Sequence, residues 1–106
     1  MEKIERRWGY EEILVNNEEY CCKILRIEKG KGCSYHYHPV KKETWIPWGG
    51  SIRVNIKGSE FILTEPYTLN PSTPHTFYGL TEGAILEIST HHDDNDLVRL
   101  KEDVYE

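Results

Sequence analysis

Short apolar segments recur along the chain, and turn-forming residues, chiefly Gly, Pro and Asn, separate them. No stretch has the three-to-four-residue apolar spacing of an amphipathic helix. This punctuation is typical of an all-β fold, and without a linker or repeat it predicts a single domain over residues 1–106. The predicted strands are Glu11 to Val15, Tyr20 to Glu28, Ser34 to His38, Glu43 to Pro47, Ser51 to Ile56, Ser59 to Leu63, Tyr67 to Leu69, His75 to Gly79 and Ala84 to Thr90. The segment from Asp94 to Leu100 is open between one helical turn and a last strand.

One strand shows the alternation clearly. Ile52, Val54 and Ile56 share one face, whereas Arg53 and Asn55 share the other. The pattern leaves open which of the two faces lines the interior.

Composition restricts the possible partners. The net charge of -5 argues against a broad nucleic-acid surface, and no apolar run reaches the length of a membrane span. The amino-terminal residues are charged and carry no apolar signal region.

The three cysteines are an odd number, and Cys21 and Cys22 are neighbours that rarely bridge, so we expect reduced thiols in a cytoplasmic protein.

Four side chains have the order and spacing of a metal site. His36 and His38 are two residues apart in a predicted strand, so both rings point to one face with Cβ atoms roughly 7 Å apart. Glu43 follows a short turn and opens the next strand, and His75 comes later in the chain. These are ligand types that proteins use for a catalytic divalent metal. The sequence therefore predicts one divalent transition metal, with Mn, Fe, Co, Ni and Zn all open.

The spacing around these ligands resembles the first metal motif of the cupin superfamily. It fits at all five signature positions: Gly30, His36, His38, Glu43 and Gly50. The second cupin motif is matched at His75 but departs at Asn70, Ser72 and Gly79, where proline, glycine and asparagine are usual. The resemblance implies a double-stranded β-helix, or jelly-roll barrel, and a homodimer.

Both ends of the chain resemble type II phosphomannose isomerase domains. The opening Arg6-Arg7-Trp8-Gly9 looks like that family's Arg-Pro-Trp-Gly, and the segment from Asp93 to Leu100 looks like its closing Glu-Asp-Asp-Ile-Val-Arg. His36 and Thr44 depart from that family, which often has glutamine and histidine at those positions.

This resemblance implies aldose–ketose isomerisation of a small sugar or sugar phosphate. A divalent metal would hold the sugar oxygens and a base would move a proton between two carbons. Glu87 and Lys23 are the candidate bases, and Lys41 and Arg99, together with Lys42, are the candidates for contacting a phosphate.

Three other functions fit the same ligands: a non-haem iron dioxygenase, a uronate-processing enzyme and a non-catalytic sugar-binding protein. An isomerase needs a proton-transfer base and works without oxygen, whereas a dioxygenase consumes oxygen.

His91 and His92 are adjacent and face opposite sides of a strand, so a solvated turn is the favoured interpretation, with one ring able to reach the cavity mouth.

Overall fold

A computed structural model describes residues 1–101, which form eleven β-strands. The strands are β1 (Glu2–Arg6), β2 (Gly9–Asn16), β3 (Tyr20–Ile27), β4 (Tyr35–Tyr37), β5 (Glu43–Gly49), β6 (Ile52–Ile56), β7 (Ser59–Ile62), β8 (Tyr67–Leu69), β9 (His75–Gly79), β10 (Gly83–Thr90) and β11 (Val98–Lys101). The all-β prediction is confirmed. The part of the chain that the structure describes contains no helix that could span a bilayer.

The strands form two antiparallel sheets. One has the order β1-β2-β3-β10-β5-β8 and the other the order β11-β4-β9-β6-β7. Neighbours in space are often distant in sequence: β10 lies between β3 and β5, and β9 between β4 and β6. This interleaving brings residues from both halves of the chain into one interior.

Every predicted strand is present, with ends that differ by a few residues. The open segment from Asp94 to Leu100 becomes a turn followed by β11, so its strand alternative is the correct one. The strand β1 was not predicted. Its sequence, Glu-Lys-Ile-Glu-Arg, has charged residues on both faces and pairs with β2 as an edge strand, so it lacks the apolar alternation on which the prediction rested.

The apolar core lies between the sheets. Ile52, Val54 and Ile56 are buried, which settles that this face of β6 points inward. Trp45 is buried and its ring lies edge-on to Phe77, and Trp8 packs against the same cluster.

The inward face of the six-stranded sheet changes character along its length. On β3 the buried positions run from Cys21 and Lys23 to Leu25 and Ile27, and on β10 they run from Ile85 to Glu87. Because the strands are antiparallel, the charged positions meet at the same end: Lys23 pairs with Glu87 in the register of β3 and β10. One end of the interior is therefore apolar and the other carries charged side chains.

Candidate metal centre and cavity

Three histidines meet at the polar end of the interior. His36 lies in β4 and His38 directly follows that strand. His75 opens β9 and is the register partner of His36. One ligand atom from each of the three rings lies within 4.8 Å of the others. The fold thus assembles three of the four predicted ligands into one group.

Each ring is held through its Nδ1 atom. The Nδ1–H groups of His36, His38 and His75 donate to the carbonyl oxygens of Ser34, Asp96 and Thr73, at 2.7, 2.7 and 2.8 Å. Because a carbonyl oxygen can only accept, these contacts place the hydrogen on Nδ1 and leave the lone pair on Nε2. This is the arrangement in which histidine binds a metal while a main-chain oxygen orients the ring.

Glu43 lies beside these rings with one oxygen engaged and one not. The indole N–H of Trp45 donates to its Oε1 atom at 2.7 Å. Its Oε2 atom is 3.5 Å from Nε2 of His38 and 3.8 Å from Nε2 of His75. Both Glu43 Oε2 and His75 Nε2 are buried without a hydrogen-bond partner. With Glu43 ionised, these are two buried acceptor atoms that face each other, which a bound cation would satisfy, so the residues present fit a divalent metal.

The protonation of these groups follows from burial. Desolvation lowers the pKa of His36 and His38 to about 4 and that of His75 to about 3. The rings are therefore neutral near pH 7, the form that binds a metal. Burial, together with the neighbouring Glu87 carboxylate, raises the pKa of Glu43 to about 8.

A network of buried charged side chains lies next to the three histidines. The Lys41 ammonium donates to Glu87 Oε2 at 3.1 Å and lies 3.8 Å from Glu43 Oε2. Burial alone would lower the pKa of Lys41, but the two carboxylates outweigh it and raise the pKa to about 12. Burial alone would raise the pKa of Glu87, but Lys41 and Lys23 hold it well below its usual value. Both partners of the ion pair are therefore charged.

Lys23 belongs to a second pair next to this one. Its ammonium donates to Glu11 Oε1 at 2.9 Å, and the guanidinium of Arg6 donates to the other oxygen at 2.6 Å. These cations outweigh the effect of burial and lower the pKa of Glu11. Glu11 was not among the predicted site residues, because nothing in its own strand distinguishes it from the neighbouring Glu12.

The remaining predicted residues lie nearer the rim. Arg99 is exposed in β11, is the register partner of His36 and lines the cavity. Lys42 is exposed, and its main-chain N–H donates to Thr90. The roles predicted for the metal, base and phosphate-contacting residues stay predictions.

His92 has a larger part in the site than the sequence suggested. Its Nδ1 atom lies 3.3 Å from the Lys41 ammonium, and its Nε2 atom lies 2.8 Å from a carboxylate oxygen of Asp94. His91 instead points to the main chain of Asn17. The alternation of adjacent residues had allowed one ring to reach the cavity mouth, and His92 is that ring.

A cavity of about 840 Å³ connects these groups with the surface. Its apolar floor includes Leu25, Trp45 and Phe77, and the histidines, the buried ion pairs and Arg99 form the walls and rim. Such a concave site, with apolar surface and a few convergent polar groups, has the character of a small-molecule site.

Residues 1–102 match the family described as mannose-6-phosphate isomerase C-terminal. The chain belongs to this family. The match covers all the strands described above and every residue predicted for the site.

Two proteins related to this chain are named as sugar isomerases. The chain is 32% identical to a D-lyxose/D-mannose isomerase from Thermosediminibacter oceani, over 77% of this chain and 62% of that protein. It is 29% identical to a D-lyxose ketol-isomerase from Cohnella laeviribosi, over 78% of this chain and 63% of that protein. The chain thus spans about three fifths of the length of these two relatives.

Solved structures confirm the cupin fold. An RmlC-like cupin from Shewanella frigidimarina superposes with a TM-score of 0.80 at 20% identity, covering 89% of this chain and 86% of that one. KdgF from a Halomonas species superposes with a TM-score of 0.75 at 13% identity, covering 81% of each chain. At these identities the likeness concerns the fold alone.

Proposed function

We propose that this protein is a metal-dependent aldose–ketose isomerase that acts on unphosphorylated sugars. The observation that carries the proposal is the group of three histidines, each with Nδ1 bound to a carbonyl oxygen, beside a buried carboxylate in an open cavity. Family membership and the named activities of the two sugar isomerases support the choice of reaction.

His36, His38, His75 and Glu43 would hold the metal. A divalent cation there would act as a Lewis acid that polarises the carbonyl and hydroxyl oxygens of the sugar. The protein's own part is to orient the four ligands and to keep bulk water away from the reacting carbons. The buried floor formed by Leu25, Trp45 and Phe77 serves the second purpose.

Glu87 is the residue that we propose to move the proton between the two carbons. It is buried, lines the cavity and is ionised, which is the form that accepts a proton. Because Lys41 and Lys23 outweigh its burial and lower its pKa, Glu87 is a weak base while paired, and proton transfer requires the Lys41 contact to loosen when the sugar binds. Lys23, the other candidate, donates from its ammonium to Glu11 and is therefore less suited to accept one. Its proposed role is to keep Glu87 charged.

The charge pairing in the cavity favours an uncharged substrate. Lys41 and Lys23 are each paired with a buried carboxylate, and Arg6 shares the Glu11 carboxylate with Lys23. A phosphate would have to compete with these carboxylates for its partners. The predicted use of Lys41 as a phosphate ligand would require breaking its pair with Glu87, whereas Arg99 at the rim can contact sugar hydroxyl groups.

Activity measurements on protein reconstituted with one metal at a time test the proposal. Metal-free protein would receive Mn, Fe, Co, Ni or Zn and then D-mannose, D-lyxose or mannose 6-phosphate, and chromatography would follow the formation of the ketose. We expect turnover of a free aldose with at least one metal, no oxygen uptake, and little turnover of the phosphorylated sugar.

Variants separate the roles of the residues. Glu87→Gln should lower kcat at least 100-fold while metal content stays near one equivalent, because the proton-transfer group is lost and the four proposed metal ligands are kept. Its unfolding midpoint is measured alongside, since the change also leaves the buried Lys41 ammonium without its nearest carboxylate. Glu82→Gln, an exposed carboxylate in the turn before β10, is the matched control and should keep full activity. Ketose formation by Glu87→Gln at the wild-type rate would refute the assignment of the base. Oxygen consumption without isomerisation would instead favour the dioxygenase alternative.

A further inference from the structure

Asp96 contacts the metal-ligand region through both its side chain and its main chain. One carboxylate oxygen accepts the main-chain N–H of Val40 and the other that of Lys41, each at 2.9 Å. The main-chain carbonyl of the same residue accepts the Nδ1–H of His38 at 2.7 Å. One residue near the end of the described chain thus fastens the segment that contains a metal ligand and a member of the charge network.

The surrounding contacts give this arrangement little freedom. The N–H of Asp96 donates to the carbonyl oxygen of Asp93 at 2.9 Å, which fixes the turn that presents both acceptors. On the other side, the His38 carbonyl oxygen accepts the N–H of Ser72 at 2.8 Å. The main chain and the ring of His38 are therefore both held, and Asp96 supplies the contact that determines which ring nitrogen carries the hydrogen.

We propose that Asp96 is a positioning residue for the metal centre. Its carboxylate draws the turn after His38 against the segment from Asp93 to Asp96. This keeps the Asp96 carbonyl within reach of the His38 ring, which fixes the Nδ1–H tautomer and directs Nε2 into the cavity. The same carboxylate seats the main chain of Lys41, whose ammonium extends to Glu87.

A purely structural role makes a different prediction. If Asp96 only stabilised the turn, its loss would lower the unfolding temperature and leave the His38 tautomer and the ligand geometry unchanged. The positioning role requires both to change. The part of the inference that concerns metal binding rests on the proposed function, whereas the tautomer can be measured in the metal-free protein.

Two readouts on Asp96→Ala and Asp96→Asn test the proposal. Long-range nitrogen–proton NMR spectra of the metal-free protein report the tautomer of each histidine ring. Titration with Co²⁺ reports the affinity and, through visible absorption, the coordination geometry. Asp93→Ala is the matched control, because it removes another carboxylate from the same turn, one that accepts the main-chain N–H of the nearby Asn95.

In wild-type protein we expect His38 to be the Nδ1–H tautomer. In Asp96→Ala we expect a mixture of tautomers, a Co²⁺ affinity lower by about 10–100-fold, and an altered absorption spectrum. Asp96→Asn, which keeps one acceptor oxygen, should fall between the two, and it serves as the test if the alanine variant does not fold. Asp93→Ala should bind Co²⁺ within about twofold of wild type, since its loss leaves the His38 contact intact.

The proposal is overturned if Asp96→Ala keeps the wild-type tautomer and Co²⁺ spectrum while only its unfolding temperature falls. It is also overturned if Asp93→Ala causes the same changes. A wild-type protein that takes up no Co²⁺, but whose His38 tautomer is lost in Asp96→Ala, would refute the proposed function and support the positioning role.

Discussion

Replacing Lys41 with methionine should destabilise the metal-free protein strongly. The Lys41 ammonium is 3% exposed and 3.1 Å from the Glu87 carboxylate. With an effective dielectric constant of about 20, a pair at this distance attracts by about 5 kcal/mol. Methionine preserves the stem of the side chain but leaves Glu87 buried without its nearest cation. Removing one partner of a buried pair costs about 3–5 kcal/mol, and because Lys23 still offsets part of the charge we expect about 3 kcal/mol.

Urea denaturation followed by tryptophan fluorescence measures this loss. With a slope of about 1.5 kcal/mol per molar urea, 3 kcal/mol lowers the midpoint by about 2 M. Lys42→Met is the matched control: this neighbour is exposed, so its midpoint should correspond to a change within about 0.5 kcal/mol of wild type. The double variant Lys41→Met/Glu87→Gln should recover most of the loss, because it no longer buries an uncompensated charge. Equal midpoints for Lys41→Met and Lys42→Met would refute the reasoning.

Three further predictions concern acid, metal and backbone. Burial lowers the pKa of the three clustered histidines to about 3 or 4, so unfolding takes up protons between those values and about pH 6.5. The stability that the three neutral histidines contribute is therefore fully present above about pH 6.5 and is lost as the pH falls towards 4, by about 1.4 kcal/mol per proton per pH unit. Glu43, whose pKa is raised from 4.5 to about 8, binds one more proton in the folded state between those values, so it reduces the slope that the histidines produce. Denaturation midpoints measured across this pH range give the net slope, and midpoints that do not change with pH would contradict the prediction. His75→Ala should lose about one equivalent of bound metal in elemental mass spectrometry, whereas His91→Ala, a histidine outside the cluster, should keep it. Gly9→Ala should cost more than about 2 kcal/mol in thermal unfolding, because its φ is +148° and a Cβ atom would lie 1.9 Å from the Arg26 carbonyl oxygen; wild-type stability would show that the chain relaxes there.

The sequence was a good guide to the strands and to the cluster of three histidines, for the same physical reason. Strand alternation and turn residues are local signals, and His36 and His38 are close in sequence, so two-residue periodicity alone places both rings on one face. Glu43 and His75 follow from the order of the motif. The family resemblance supplied what local reasoning could not, namely that the distant His75 belongs with His36 and His38. The structure shows how they meet, since β9 pairs with β4 and places His75 opposite His36.

The residues that the sequence did not reveal act through long-range contacts. Glu11 pairs with Lys23 across β2 and β3, and Asp96 reaches the turn after His38 from 55 or more positions away in the chain. Neither has a motif of its own, and Asp96 sits in an acidic run that is expected to be solvated. For Asp96 only the folded structure reveals the partners, whereas for Glu11 the partner lies in the next strand and nothing in the sequence indicated a buried ion pair there.

The site lies where the inward-facing residues of single strands change from apolar to charged. Alternation predicts which residues of a strand point inward, but it treats an inward face as uniform. On β3 that face changes from Leu25 to Lys23 within two residues, and on β10 it changes from Ile85 to Glu87. Burying such charges is costly unless they are paired, and antiparallel register places Lys23 directly opposite Glu87. Inward positions that turn from apolar to oppositely charged on adjacent strands therefore mark the end of the interior where a polar cavity can form, and the three clustered histidines lie at that end.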